Sequence, residues 1–172
     1  MTAFSDVIQS FYHYIENDVD FFSYFNLSEE ECMEVAGQRA EVLLKEATSY
    51  INRKLVVENV FSKIIEVEDV TVDQETGETV KEIVRAFTET LTDGEINLLV
   101  KAMFLMYLQR DITVLRTFHG VMTSSDLNMY SPANERKTFI EMVEKYEAEL
   151  KIEISEYQMR DRITGRFIQI CE

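Results

Sequence analysis

Apolar residues recur at three- and four-residue intervals along four stretches of the chain, and alternate with polar residues along one stretch between the second and third. The first, FSDVIQSFYHYIENDVDFFSYF, sets Phe4, Val7, Ile8, Phe11 and Ile15 on one face and predicts a helix over about residues 3–18. The second opens at LSEEECMEV, where Ser28 and Glu31 have capping-box spacing and three consecutive acids favour the positive end of the helix dipole. Its stripe continues through Val35, Ala36, Ala40, Val42, Leu43, Leu44, Ala47, Tyr50 and Ile51 to Arg53 and Lys54, giving a helix of about 25 residues. The third opens at LTDGEINLL with the same device, Thr92 and Glu95, and is apolar nearly all round through Leu108, which predicts the central, most buried helix, with Gly120 as its stop. The fourth opens at YSPANE, with Ser131 as N-cap, Pro132 at the first helical position and Asn134 in the first turn. Phe139, Met142, Val143, Tyr146, Leu150, Ile154 and Tyr157 form its apolar face, and Glu141, Lys145, Glu149 and Glu153 its charged one.

The alternating stretch, residues 63–87, is rich in β-branched residues around a turn-like QETGE and predicts a hairpin with arms Ile64–Val72 and Thr79–Val84. A lone hairpin is marginal in water, so this one must rest on the helices or pair with a neighbouring chain. Its first arm also reads as the end of a helix, because the apolar pairs of VVENVFSKII repeat at about four. The polar MTSSDLNM, which contains Asp126, is expected to be an ordered turn between the two longest helices. After Tyr157 the chain turns basic, with Arg160, Arg162 and Arg166 around a Thr-Gly turn and then the β-prone Phe167, Ile168 and Ile170. That tail completes either this chain's own ribbon or another chain's sheet. The expected fold is mainly α: a bundle of about four helices with a β-hairpin insertion in one domain over 1–159, and an extended C-terminal arm over 160–172.

Composition narrows the function classes. With 32 acids against 17 bases the net charge is -15, which disfavours wrapping duplex DNA, since that affinity comes from neutralised phosphates. The charge is concentrated at the front: residues 1–60 carry eleven acids and four bases, 61–95 ten and three, and 96–172 eleven and ten. No apolar run reaches the roughly 20 residues of a membrane span. The N-terminal MTAFSDVIQSFYHY has neither a basic region nor an apolar core, so no secretory signal is expected there. Cys32 and Cys171 are far apart, which suits a reducing compartment and excludes a thiolate zinc site.

Candidate chemistry is sparse. Five scattered glycines make no phosphate loop, and His13 and His119 have no metal-ligand spacing and sit in aromatic-rich helices as core or rim residues. The acids around QETGE are not at calcium-loop positions, and the carboxylates are too numerous for spacing to single out a catalytic pair. No catalytic residue, cofactor or metal is expected.

The segment SSDLNMYSPANERKTFIEMVEKYEAEL, together with LTDGEINLLVKAMFLMYL before it, resembles the head–tail connector, or neck, proteins of tailed bacteriophages. The matching residues are Leu91, Thr92, Glu95 and Ile96, then Ser125, Asp126, Met129, Tyr130, Ser131, Pro132, Ala133 and Asn134, within about residues 88–155. Where that family often has a basic histidine–leucine pair after the asparagine, this chain has Glu135 and Arg136. The resemblance implies a non-catalytic virion component forming a ring, commonly of about twelve copies, between portal and tail. It further implies an acidic front lining a channel through which DNA passes without specific binding, and an arm carrying Arg160, Arg162, Arg166, Phe167, Ile168 and Ile170 that docks on the portal. The rival reading is an acidic helical interaction module or DNA mimic that binds a basic partner. Its carboxylates should form a continuous array on one face.

Overall fold

The computed structural model describes residues 1–24, 26–56, 59–72, 79–121 and 132–168. Asp126, Ser131, Ile170, Cys171 and the QETGE turn lie outside the described residues. The element order is β1 (Thr2–Ala3), α1 (Phe4–Tyr14), α2 (Val19–Phe22), α3 (Glu29–Lys54), β2 (Ile64–Val72), β3 (Thr79–Phe87), α4 (Asp93–Val121) and α5 (Pro132–Gln158), with a 3-10 turn at Val60–Ser62 before β2. The protein is therefore a mainly helical bundle carrying a β-hairpin.

α4 is the centre, packing against α1, α3 and α5. Its nearly all-round apolar sequence requires that position, since each face needs cover. Leu98, Leu99, Val100, Ala102, Met103 and Leu105 are all buried, against Phe11, Leu43, Leu44, Ile51, Leu150 and Ile154 from the surrounding helices in one continuous core. A fully buried leucine or phenylalanine of this kind contributes about 1.5–3 kcal/mol, so the four stripes read from the sequence supply most of the stability.

The first helix is shorter than its periodicity predicts. α1 stops at Tyr14 because Asp18 starts a second, one-turn helix: its carboxylate accepts the Phe21 N–H at 3.3 Å. The other carboxylate oxygen accepts the Tyr107 hydroxyl at 2.8 Å, fixing the corner to α4. The turn folds Phe21 into the core, edge-on to Phe11 at 5.6 Å and to Tyr107 at 5.5 Å.

The sheet has the order β1-β3-β2, antiparallel throughout. β2 and β3 pair from Ile64↔Phe87 to Val72↔Thr79, three residues further on β3 than the predicted arm. The hairpin rests on the body at its base, through the two-residue β1 and through α1. Arg85 adds a further tie: its Nε donates to Glu66 across the ribbon at 3.0 Å, and its Nη1 donates to Glu41 on α3. Ile64 and Ile65 at that base, and Ile83 above it, are exposed.

Candidate functional site: a buried carboxylate and the loop it holds

α4 begins with the predicted capping box. The Thr92 N–H donates to Glu95 Oε2 at 2.7 Å, and the Glu95 N–H donates back to Thr92 Oγ1 at 3.3 Å. Glu95 is 1% exposed, however, and a buried carboxylate must be neutralised. The C-terminal segment supplies the cation. Arg162 Nε donates to Glu95 Oε1 at 2.7 Å and its Nη2 to Oε2 at 3.2 Å, while the Tyr157 hydroxyl donates to Oε1 at 2.7 Å. Arg162 also reaches Glu89 at 2.6 Å and the Thr90 carbonyl. The N-terminus joins the same corner: the Leu91 N–H donates to Thr2 Oγ1 at 2.8 Å and the Met1 ammonium to the Thr90 hydroxyl. The start, middle and end of the chain meet around one carboxylate.

The charges respond accordingly. Burial alone pushes Glu95 up, but the Arg162 guanidinium, the Thr92 amide and the Tyr157 hydroxyl outweigh it and hold the carboxyl below the usual range. Burial, with the hydrogen bond to Glu95, pushes the Tyr157 phenol up, so it remains a donor.

Arg162 anchors a compact loop. Residues 160–168 do not leave the bundle as an extended arm: Arg160 and Phe167 form an antiparallel bridge, and the Ile168 N–H donates to the Met159 carbonyl at 2.8 Å. At the turn, Asp161 Oδ1 accepts the Thr164 N–H and hydroxyl, both at 2.7 Å, and the Ile163 N–H at 3.2 Å. Gly165 closes it at a φ of 66°, where an L side chain is strained. Asp161 favours a turn because its short carboxylate accepts the amides just beyond it, and those bonds hold it below the usual carboxylate range.

The loop presents apolar side chains to water. Ile163 at the tip is 90% exposed, and Met159, Phe167 and Ile168 are each more than half exposed. The Arg160 guanidinium stacks 4.5 Å from the Phe167 ring centre and pairs with Glu156 at 3.0 Å, and Arg166 is exposed beside it. Of the predicted partner-binding residues, Arg160, Arg166, Phe167 and Ile168 gather on this loop surface, while Arg162 turns inward. Thr92 and Glu95 form the anchor. Pro132 and Asn134 lie in the first turn of α5, away from it in sequence.

Sequence reasoning missed Glu89, Tyr157 and Ile163. Tyr157 showed only as one more apolar position, and the Thr-Gly turn signal beside Ile163 was the one available clue. His13 lies exposed on α1, and Cys32 is a buried free thiol. Among the described residues no three His, Cys, Asp or Glu side chains gather to hold a metal, and no helix is long and apolar enough to cross a membrane.

Two of the clefts among the described residues adjoin the loop and the hairpin. One of about 350 Å³ lies under the loop, between Asn59, Val60, Lys63, Tyr157, Arg160 and Ile168. The other, about 520 Å³, lies between α1, α3 and the hairpin. No family model, curated protein or solved structure matches this chain.

Proposed function

We propose that this protein is a structural assembly subunit, one copy of a ring in the head–tail connector of a tailed bacteriophage. The ring joins portal to tail within the virion and surrounds the path of the DNA. The observation that carries this reading is the C-terminal loop: an internally bonded turn, latched to a buried carboxylate, that holds Ile163 90% exposed. A side chain held rigidly in water is suited to a partner's pocket, because little conformational entropy is left to lose on docking. The resemblance over about residues 88–155 supplies the particular class of assembly, and the hairpin, with its exposed isoleucines, offers a second contact element.

The acidic interaction-module reading needs a continuous array of free carboxylates. Many acids here are engaged instead: Glu41 by Lys45 and Arg85, Glu46 by Arg110, Glu147 by Lys151, and Glu153 by Lys101. That internal pairing favours the assembly reading.

The test is mass analysis of the chain mixed with the portal protein encoded in the same genome, followed by uptake into particles. A ring of stoichiometric copies on the portal is expected. No association with portal or tail proteins, together with tight binding to a basic host protein, overturns the reading. Deleting the chain from Arg160 onward is a poor probe, because it also strips Glu95 of its cation. Ile163→Asp leaves that anchor in place, and should lose uptake while keeping its helical content.

A further inference from the structure

We infer that residues 159–168 are an acid-released strap: a preformed loop that Arg162 holds on the bundle, and that swings away about the end of α5 when Glu95 takes up a proton. The device belongs to the chain by itself and does not rest on the connector reading. Within the loop only Arg162 is not exposed. Closure therefore buries little apolar surface, and the latch rather than packing sets where the loop sits. Among the described residues, the side-chain bonds from 161–168 to the bundle are those of Arg162 to Glu95, Glu89 and the Thr90 carbonyl.

The loop carries its own shape. The Ile168 N–H donates to the Met159 carbonyl, the Asp161 N–H to the Arg166 carbonyl and the Gly165 N–H to the Asp161 carbonyl, each at 2.8 Å. The Asp161 carboxylate adds the Ile163 and Thr164 amides. All of these bonds lie inside the loop, so losing Arg162 from its site breaks none of them. The segment opens as one unit, a local event distinct from global unfolding, hinged where the Arg160 N–H meets the Tyr157 carbonyl at 3.3 Å.

The proton is the trigger because of where Glu95 lies. Its side chain is 1% exposed, so release of Arg162 from the ionised carboxylate strands a buried charge. Release from the neutral acid strands none, and the Thr92 amide and Tyr157 hydroxyl remain as its partners. Burial pushes the carboxyl up, but Arg162, Thr92 and Tyr157 together hold it below the usual range. The strap is accordingly shut above that range and opens as pH falls through the folded pKa. The other charged groups at this corner do not enforce closure. Glu89 shares the guanidinium but is 42% exposed, so water solvates it once Arg162 leaves. Tyr157 is pushed up and stays protonated. Lys63 and Arg160 line the cleft beside Glu89, and the Met1 ammonium bonds the Thr90 hydroxyl.

Nuclear magnetic resonance of the full chain, titrated from neutral pH into the carboxylate range, tests this. In the wild type the amide signals of 160–168 should move as one set, following the Glu95 carboxyl signal, while contacts between Met159 and Ile168 persist and the α1 and α3 signals stay. Glu95→Gln has no charge to strand, so it should show the released set already at neutral pH and lose the titration. Arg162→Gln should show the same set; if stranding the charge unfolds it, the double variant Glu95→Gln/Arg162→Gln carries the comparison. Asp161→Asn should titrate like the wild type. A loop that stays in place without Arg162, that unravels on release, or that keeps its titration in Glu95→Gln and loses it in Asp161→Asn would each overturn the strap.

Discussion

At the start of α3, Ser28 and Glu31 close a capping box in water, and at the start of α4, Thr92 and Glu95 close the same box inside the protein. In the first, Glu31 Oε2 accepts the Ser28 N–H and hydroxyl, each at 2.8 Å, and those two bonds hold its carboxyl below the usual range. In the second, the carboxyl is driven up by burial and brought below the usual range by Arg162, Thr92 and Tyr157 together. One box starts a helix. The other starts a helix and also fixes a loop 67 residues further along the chain. The difference teaches that a capping motif is a local instruction, whereas burial turns its carboxylate into a demand that only a distant cation satisfies.

The largest expected effect comes from removing that cation. Arg162→Ala leaves Glu95 charged, desolvated and without a guanidinium, and should cost about 3 kcal/mol in urea unfolding, the lower end of the range for a broken buried pair because Arg162 itself is partly exposed. Adding Glu95→Gln should recover part of the loss by removing the stranded charge, a coupling that the double-mutant cycle reads directly. A cost near zero would mean that the anchor does not hold the fold.

A pH series sharpens the same point. In the wild type the folded carboxyl of Glu95 lies below its ordinary 4.5, so its stabilisation is present above that value and is lost as pH falls through the folded pKa. In Arg162→Ala the guanidinium that holds the carboxyl down is gone, so the folded carboxyl rises and that stabilisation shrinks. The gap between wild type and variant should therefore be widest near neutral pH and narrow as the medium is acidified through the carboxylate range. A gap that is constant with pH would assign the loss to packing rather than to charge.

The four helical stripes, both capping boxes and the hairpin were legible in the sequence because each rests on residues close together in the chain. Ser28 and Glu31, or Thr92 and Glu95, are one helical turn apart, and the hairpin arms are separated by only six residues of sequence. Burial of Glu95 was not legible, because nothing near it in sequence distinguishes it from Glu31. Asp18 misled for a related reason: it ends α1 by binding the Phe21 amide and the Tyr107 hydroxyl, and the second partner is a tertiary contact. The basic tail was read as an extended arm because its cations look free in sequence. Only folding shows that Arg162 turns inward and Asp161 rolls the chain into a turn, leaving Ile163 outside.

The smallest effects test whether the two boxes are equal as caps. Ser28→Ala and Thr92→Ala each remove one hydroxyl that accepts a helix amide at 3.3 Å, and each should cost about 1 kcal/mol in chemical denaturation. Their reach should differ. In Ser28→Ala, amide resonances should move within the first turn of α3 and leave residues 159–168 where they are, because among the described residues the Glu31 carboxylate bonds only Ser28. In Thr92→Ala the carboxylate of Glu95 is free to re-aim, so Arg162 and Tyr157 should shift with it, and the loop resonances should move although the substitution is far away in sequence. If both substitutions leave the loop unmoved, Arg162 positions the Glu95 carboxylate by itself and the α4 box is, like that of α3, no more than a cap.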